Sequence, residues 1–192
     1  DSDGRGIVVN TSGGLNLVNG SRITTDTIGG SGRGGDIVID VNKLQVDGVN
    51  SIIASNNNTA GGGGQISIVA TEVVLSNDAA ISSITRSSGD GGSIDINTGS
   101  LQLRNSAEIR GQTATSGRGA DIIINATESV TIGSSDLGGS DASGILVSSA
   151  AFVGLAGSSG SIAIETPKLE LFSGQLQSRS LFPGSGAGGD IT

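Results

Sequence analysis

Apolar and polar residues alternate along this chain in short runs that return on a fixed beat. In GGDIVIDVNKLQVDGVNSIIASN, residues 34–56, Ile37, Ile39 and Val41 share one face, followed by Leu44 and Val46 and then by Ile52 and Ala54. The next stretch repeats this with Ile66, Ile68 and Ala70, with Val73 and Leu75, and with Ala79, Ile81 and Ser83. A third gives Ile94, Ile96 and Thr98, Leu101 and Leu103, and Ala107, Ile109 and Gly111. A period of two is the side-chain alternation of a β-strand. No apolar stripe recurs at helical spacing, and glycine in a helix interior costs about 1 kcal/mol relative to alanine. Each unit therefore predicts three short strands separated by corners such as VNK, ATE, TGS and TPK.

The units are long and regular. Their leading isoleucines are Ile7, Ile37, Ile66, Ile94, Ile122, Ile162 and Ile191, so successive spacings are 30, 29, 28, 28, 40 and 29 residues. Near-identical decapeptides mark the starts: SGRGGDIVID at 31–40, SGDGGSIDIN at 88–97 and SGRGADIIIN at 116–125. Self-similarity at this period is the mark of a solenoid, in which each repeat buries its apolar face only against its neighbours. The expectation is an all-β chain. Residues 1–192 form a single parallel β-helix segment of six to seven coils, with about 28–29 residues per coil. At about 4.8 Å per strand layer, six coils make a rod roughly 30 Å long.

Stacking makes columns. Ile37, Ile66, Ile94, Ile122 and Ile162 form one predicted core column; Leu44, Val73, Leu101 and Leu169 form another. The glycine doublets at 34–35, 63–64, 91–92 and 188–189 mark the tightest corner. There, positive φ or close backbone stacking excludes a Cβ at Gly35, Gly64, Gly92 and Gly189. Ala120 and Ser159 depart from the doublet. The 40-residue unit holds GSSDLGGSDASG, read as a surface loop inserted at 133–144 within the fifth coil.

Composition narrows the chemistry. The chain has 34 Gly, three Phe and no Cys, Met, His, Trp or Tyr, so its interior is built from Ile, Leu, Val and Ala. Without cysteine there are no disulfides and no thiolate ligands; without histidine the commonest general base is missing. A net charge of −8 with scattered basic residues points away from nucleic acid. No apolar run is long enough to span a membrane. DSDGRGIVVN reads as the middle of the pattern, and GGDIT as one strand into a further coil. Neither end carries a capping sequence, so more coils or end-to-end stacking of copies is expected.

The unit GGDIVIDVNKLQVDG, and above all GSIDINTGSLQLRNSAEIRGQT at 92–113, resembles the repeats of filamentous-haemagglutinin-like exoproteins of the two-partner secretion type, in their cyanobacterial form. The resemblance runs over about the whole chain. It implies a right-handed coil, a secreted or outer-cell-surface location, and adhesive or scaffold duty. Asn-Pro-Asn motifs mark the secretion domain of that family. Here Pro167 and Pro183 are the only prolines and neither follows Asn, which places the chain in the repeat or stalk region.

Four groups of residues are candidates for more than packing. SGDGGSIDI superficially resembles the calcium-binding GGxGxD nonapeptide, but that motif repeats every nine residues and this unit every 28. The remaining calcium candidates are Asp136 and Asp141 in the inserted loop. An outward column of Asp40, Val69, Asn97, Asn125 and Glu165 is the nearest thing to a catalytic set. It offers no carboxylate pair at the spacing that glycoside hydrolysis needs, so no enzyme activity is expected, with a carbohydrate-active β-helix enzyme as the alternative reading. Inward-facing Asn56, Thr85 and Thr113 predict a hydrogen-bonded ladder at the end of the third strand. Asp136, Leu137, Phe152 and Leu155 form a candidate partner patch, or pack the loop onto the rod. No cofactor is expected. The partners expected are further copies, stacked end to end, and surface glycans or proteins.

Overall fold

A computed structural model of the chain describes residues 3–29, 31–58, 60–114, 116–133, 142–150, 157–181 and 186–192. The described residues contain thirteen strands and no helix. Strands β1 (Ile7–Val18), β3 (Ile37–Asp47), β5 (Ile66–Ser76), β7 (Ile94–Arg104), β9 (Ile122–Gly133) and β11 (Ile162–Glu165) stack in that order, with β12 (Leu169–Phe172) also paired to β9. The second sheet runs β2 (Arg22–Thr27), β4 (Ile52–Asn57), β6 (Ala80–Thr85), β8 (Glu108–Thr113), β10 (Gly144–Ala150) and β13 (Gln175–Leu181). Every pairing between these strands is parallel. The fold is a β-solenoid, with six rungs in each sheet.

The first two predicted strands of a coil are joined. From Ile37 to Asp47 the alternation runs buried–exposed until Val41, then Asn42 and Lys43 are both exposed, then Leu44 and Val46 are buried again. Two outward residues in succession reset the phase, so one eleven-residue strand bends and both halves face the same interior. Only the last rung separates them into β11 and β12. There Thr166–Pro167–Lys168 makes the corner, and proline brings no N–H to the ladder.

Register explains the uneven spacing. Val18 pairs with Asp47, 29 residues on, but Arg22 pairs with Ile52, 30 on, whereas Asp47 pairs with Ser76 at 29 and Ile52 with Ala80 at 28. The corner Gly48–Ser51 thus holds one residue more than its successor. The fifth coil lengthens at three places: offsets are 28 at Ile94↔Ile122, 29 at Leu103↔Ile132, 36 at Glu108↔Gly144 and 40 at Ile122↔Ile162. Corners absorb length while the columns stay aligned.

The Gly48–Ser51 corner corrects one expectation. Ile53 and Ser55, not Ile52 and Ala54, share the inward column of the second coil, because Ile53 pairs with Ile81 and Ser55 with Ser83; Ala54 is nonetheless fully buried. A slip of one residue turns every side chain to the other face. For the same reason Asn57, not Asn56, is the partner of Thr85 and, through it, of Thr113. The expected ladder is also absent as drawn. Asn57 donates to the Gly62 carbonyl and Thr85 to the Asp90 carbonyl at 3.3 Å, so each side chain serves the backbone of its own corner.

Ile37, Ile66, Ile94, Ile122 and Ile162 are all fully buried, as are Val73 and Leu101, with Leu44 nearly so. Their burial is the main cohesive term, at about 25 cal/mol per Å² of apolar surface removed from water. Leu169 does not belong with them. It sits in register on Val130 but is 44% exposed, because among the described residues no strand pairs with it on the far side. Leu171 is likewise 43% exposed, and in the first rung Val9 and Leu15 are only partly buried.

At the tight corner the doublet glycines do not adopt positive φ. Stacking is the reason for them. A Cβ on Gly35, Gly64, Gly92 or Gly189 would lie inside van der Waals contact of the carbonyl of the residue one rung below: Arg5, Gly35, Gly64 and Gly160 respectively. Buried serines inside the corner complete the bonding. Ser55 Oγ donates to the Gly35 carbonyl and accepts from the Gly64 N–H, both at 3.1 Å, and Ser83 Oγ accepts from the Gly92 N–H at 3.2 Å.

Candidate functional site

The outward face at the start of each coil carries the column expected from the sequence. Register places Asn10, Asp40, Val69, Asn97, Asn125 and Glu165 in line. Asn125 Nδ2 donates to Asn97 Oδ1 at 3.0 Å, the amide ladder that identical side chains form when stacked one strand apart. Glu165 and Asn125 also line a shallow depression of ≈ 580 Å³ with Ala126, Thr127, Thr166 and Pro167. Asp40 stands apart, separated from Asn97 by the half-exposed Val69. Among the described residues lining this depression, Glu165 is the one carboxylate. A general acid and general base acting across one bond need two.

The corner acids have structural employment. Asp3 Oδ1 accepts the Arg33 N–H at 2.8 Å, and Asp90 Oδ1 accepts the Arg118 N–H at 2.7 Å. Asp36 Oδ1 accepts the Gln65 N–H at 2.8 Å, and Asp121 Oδ1 accepts the Ser161 N–H at 2.8 Å. In each case a carboxylate on one rung satisfies a backbone donor on the next. Arg118 grips Asp121 through both terminal nitrogens at 2.6 and 2.7 Å, the paired geometry that guanidinium and carboxylate favour. Of the SGDGGSIDI acids, Asp90 follows that pattern, while Asp95 accepts from side chains, Gln65 Nε2 at 2.6 Å and Ser93 Oγ at 2.8 Å. Among the described residues no three His, Cys, Asp or Glu side chains gather into a set that could hold a metal ion.

A second ladder, at the opposite corner, went unread in the sequence. Asn77 Nδ2 donates to Asp47 Oδ1 at 2.7 Å, Asn105 Nδ2 donates to Asn77 Oδ1 at 2.8 Å, and Ser76 Oγ donates to Asp47 Oδ1 at 2.6 Å. The Ser76 and Asn77 bonds hold the Asp47 carboxyl below the ordinary aspartate range, with Arg104 assisting, against a small opposing effect of burial. Backbone geometry selects these residues. Asn77 and Asp78 have φ of 56° and 63°, and Asn105 and Ser106 have φ of 55° and 64°. Asparagine and aspartate tolerate that left-handed conformation better than other side chains. The signal is Asn19-Gly20, Asn77-Asp78 and Asn105-Ser106 directly after β1, β5 and β7.

Of the remaining candidates, Asp136, Asp141, Leu137, Phe152 and Leu155 lie outside the described residues. Lys43 and Glu72 form an exposed pair across adjacent rungs at 2.6 Å, a contact worth little in water. No described helix is long and apolar enough to cross a membrane. No family model, no curated protein and no solved structure was found to match the chain.

Proposed function

We propose that this chain is a stretch of a structural rod, secreted or displayed on an outer cell surface, serving as an adhesin stalk or as a subunit of an extracellular filament. The resemblance of its repeats to filamentous-haemagglutinin-like exoproteins supports that placement and a right-handed coil. One observation carries the reading: six rungs stack in parallel, in register apart from local bulges, and carboxylates and amides at the corners join one rung to the next. Chemistry is not what this surface is arranged for, and the proposed role is non-catalytic.

The terminal rungs supply the means of extension. Leu169 and Leu171 expose inward-column positions at one end, and Val9 and Leu15 remain partly open at the other. A further coil laid on either edge would bury them and pair the free strand edge. Residues 190–192 already begin such a layer: the Ile162 N–H donates to the Asp190 carbonyl at 2.9 Å, and the Thr192 N–H donates to the Ile162 carbonyl at 3.0 Å. Whether the next coil comes from the same chain or from another copy, the chemistry of the joint is the same.

Electron microscopy of the purified chain over a concentration series tests this. Filaments whose axial repeat equals the strand spacing are the expected result. Short isolated rods at every concentration would remove self-stacking from the proposal. Turnover of a polysaccharide that is lost in Glu165→Gln would overturn the non-catalytic reading.

A further inference from the structure

The outer face of the second sheet carries a groove at rungs four to six that the stacking of coils does not use. It has a volume of ≈ 230 Å³ and is lined by Glu108, Arg110, Gln112, Leu146, Ser148, Gln177 and Arg179 together with backbone at Gly111 and Val147. Register fixes the arrangement. Arg110, Leu146 and Gln177 form one outward row across three rungs, and Gln112, Ser148 and Arg179 form the row beside it. Two arginines therefore stand at diagonal corners, two glutamines at the other two, with Leu146 and Ser148 as the floor between them. Two rungs separate the arginines along the axis, about 10 Å.

The charges are unevenly engaged. Arg110 Nε faces Glu108 Oε2 at 3.3 Å, which leaves its two terminal nitrogens for another acceptor. Arg179 is exposed and forms no ion pair among the described residues. The arginines at the glycine corner behave differently, since Arg33 reaches Asp36 and Arg118 is held by Asp121. In a chain of net charge −8, a groove with two arginines and one carboxylate is a local reversal of sign.

We propose that this groove binds an acidic polysaccharide bearing carboxylates, a uronate chain lying across the three rungs on the Arg110–Arg179 diagonal. The occupant follows from the frame. Guanidinium groups take carboxylates through paired N–H donors. The glutamine amides and the Ser148 hydroxyl offer donors and acceptors to ring hydroxyls. Leu146 supplies an apolar patch for the C–H face of a pyranose. Arg110 and Arg179 are offset by two rungs and by two strand positions, about 12 Å in all, so a chain crossing the groove on that diagonal presents carboxylates of different sugars to the two guanidinium groups. This site does not depend on the rod being a filament, since a single copy contains all of it.

The test uses the full chain and oligogalacturonate as the probe, with its methyl-esterified form as the uncharged control, by titration calorimetry at low and moderate salt. Binding of the charged oligomer but not of the ester is expected, weakened about tenfold or more in both Arg110→Gln and Arg179→Gln and only partly restored by Arg110→Lys. Arg86→Gln serves as an exposed arginine away from the groove, and it should bind as the unaltered chain does. Circular dichroism melts report whether each variant folds. No binding by the folded parent chain overturns the proposal, and so does equal loss from Arg86→Gln. Equal binding of polyphosphate overturns the assignment to a saccharide.

Discussion

The methyl group of Ala120 stands 2.7 Å from the point that a Cβ on Gly111 would occupy. Elsewhere the pair is reversed: Gly64 lies against Ser55 and Gly92 against Ser83, with the serine hydroxyl bonded to the glycine N–H. In the fourth coil the bulk has moved from one partner to the other, so the corner keeps its volume and gives up one hydrogen bond. Gly111→Ser alone should overpack the corner and cost about 1–3 kcal/mol. Adding Ala120→Gly should recover most of that loss, by restoring both the space and the bond. Urea denaturation of the two single variants and the double variant measures the coupling. Simple addition of the two effects would show that the residues do not share this space.

Glycine at the tight corner should be far less replaceable than glycine in the loops. Gly92→Ala drives a methyl into the Gly64 carbonyl one rung below, where only backbone could give way. Gly29 has φ +79° and nothing within 4 Å of an added Cβ, so Gly29→Ala carries backbone strain alone. We expect Gly29→Ala to cost about 1 kcal/mol and Gly92→Ala several times that. Thermal melts of both variants settle the order.

Position along the rod should set the cost of a lost side chain. Ile96 is fully buried in a middle rung, and Ile96→Ala should destabilise by about 2–5 kcal/mol. Leu171 points at the same interior but is 43% exposed on the terminal rung, so Leu171→Ala should cost a minor fraction of that. Equal losses would mean that the terminal rung is covered in solution. That outcome would itself point to stacked copies.

Asp47 makes the fold acid-sensitive in one direction. Its carboxyl titrates below its unfolded value because Ser76 and Asn77 donate to the ionised form. The stabilisation is therefore complete above the unfolded value of about 3.9, and it is lost as pH falls through the lower folded value. Asp47→Asn should flatten the dependence of stability on pH between about 5 and 2, leaving the neutral-pH fold in place. Denaturation midpoints of both proteins across that range give the comparison. Unchanged slopes would place the acid sensitivity in other carboxylates.

Periodicity carried most of the architecture. Ile37 through Ile162 could be placed in one column from spacing alone, because a solenoid repeats each local environment and every coil votes on the same register. What failed was local and had a local cause. The Gly48–Ser51 corner holds one residue more than its neighbours, and that difference turned Ile52, Ala54 and Asn56 to the other face. Leu169 has the right spacing and the wrong exposure, since spacing alone does not tell whether another rung lies over a position. Asp47 and Asn77 lie far apart in the chain, and their contact follows only once the rungs are stacked. The same is true of the Arg110–Arg179 groove, whose corners come from coils four and six and share no motif.

The hydrogen bonds between rungs run parallel to the rod, not across it. Tension applied from end to end therefore loads those bonds one after another, as a zipper is opened, and not all at once in shear. Each rung that peels away would release a coil of about 28 residues, whose extended length approaches 95 Å, while the remaining rungs stay closed. Stretching single molecules should give a sawtooth of evenly spaced, low-force steps; one abrupt high-force rupture would contradict it. A tether built this way yields in increments, which lets it stay attached under a jolt that would snap a stiffer connection.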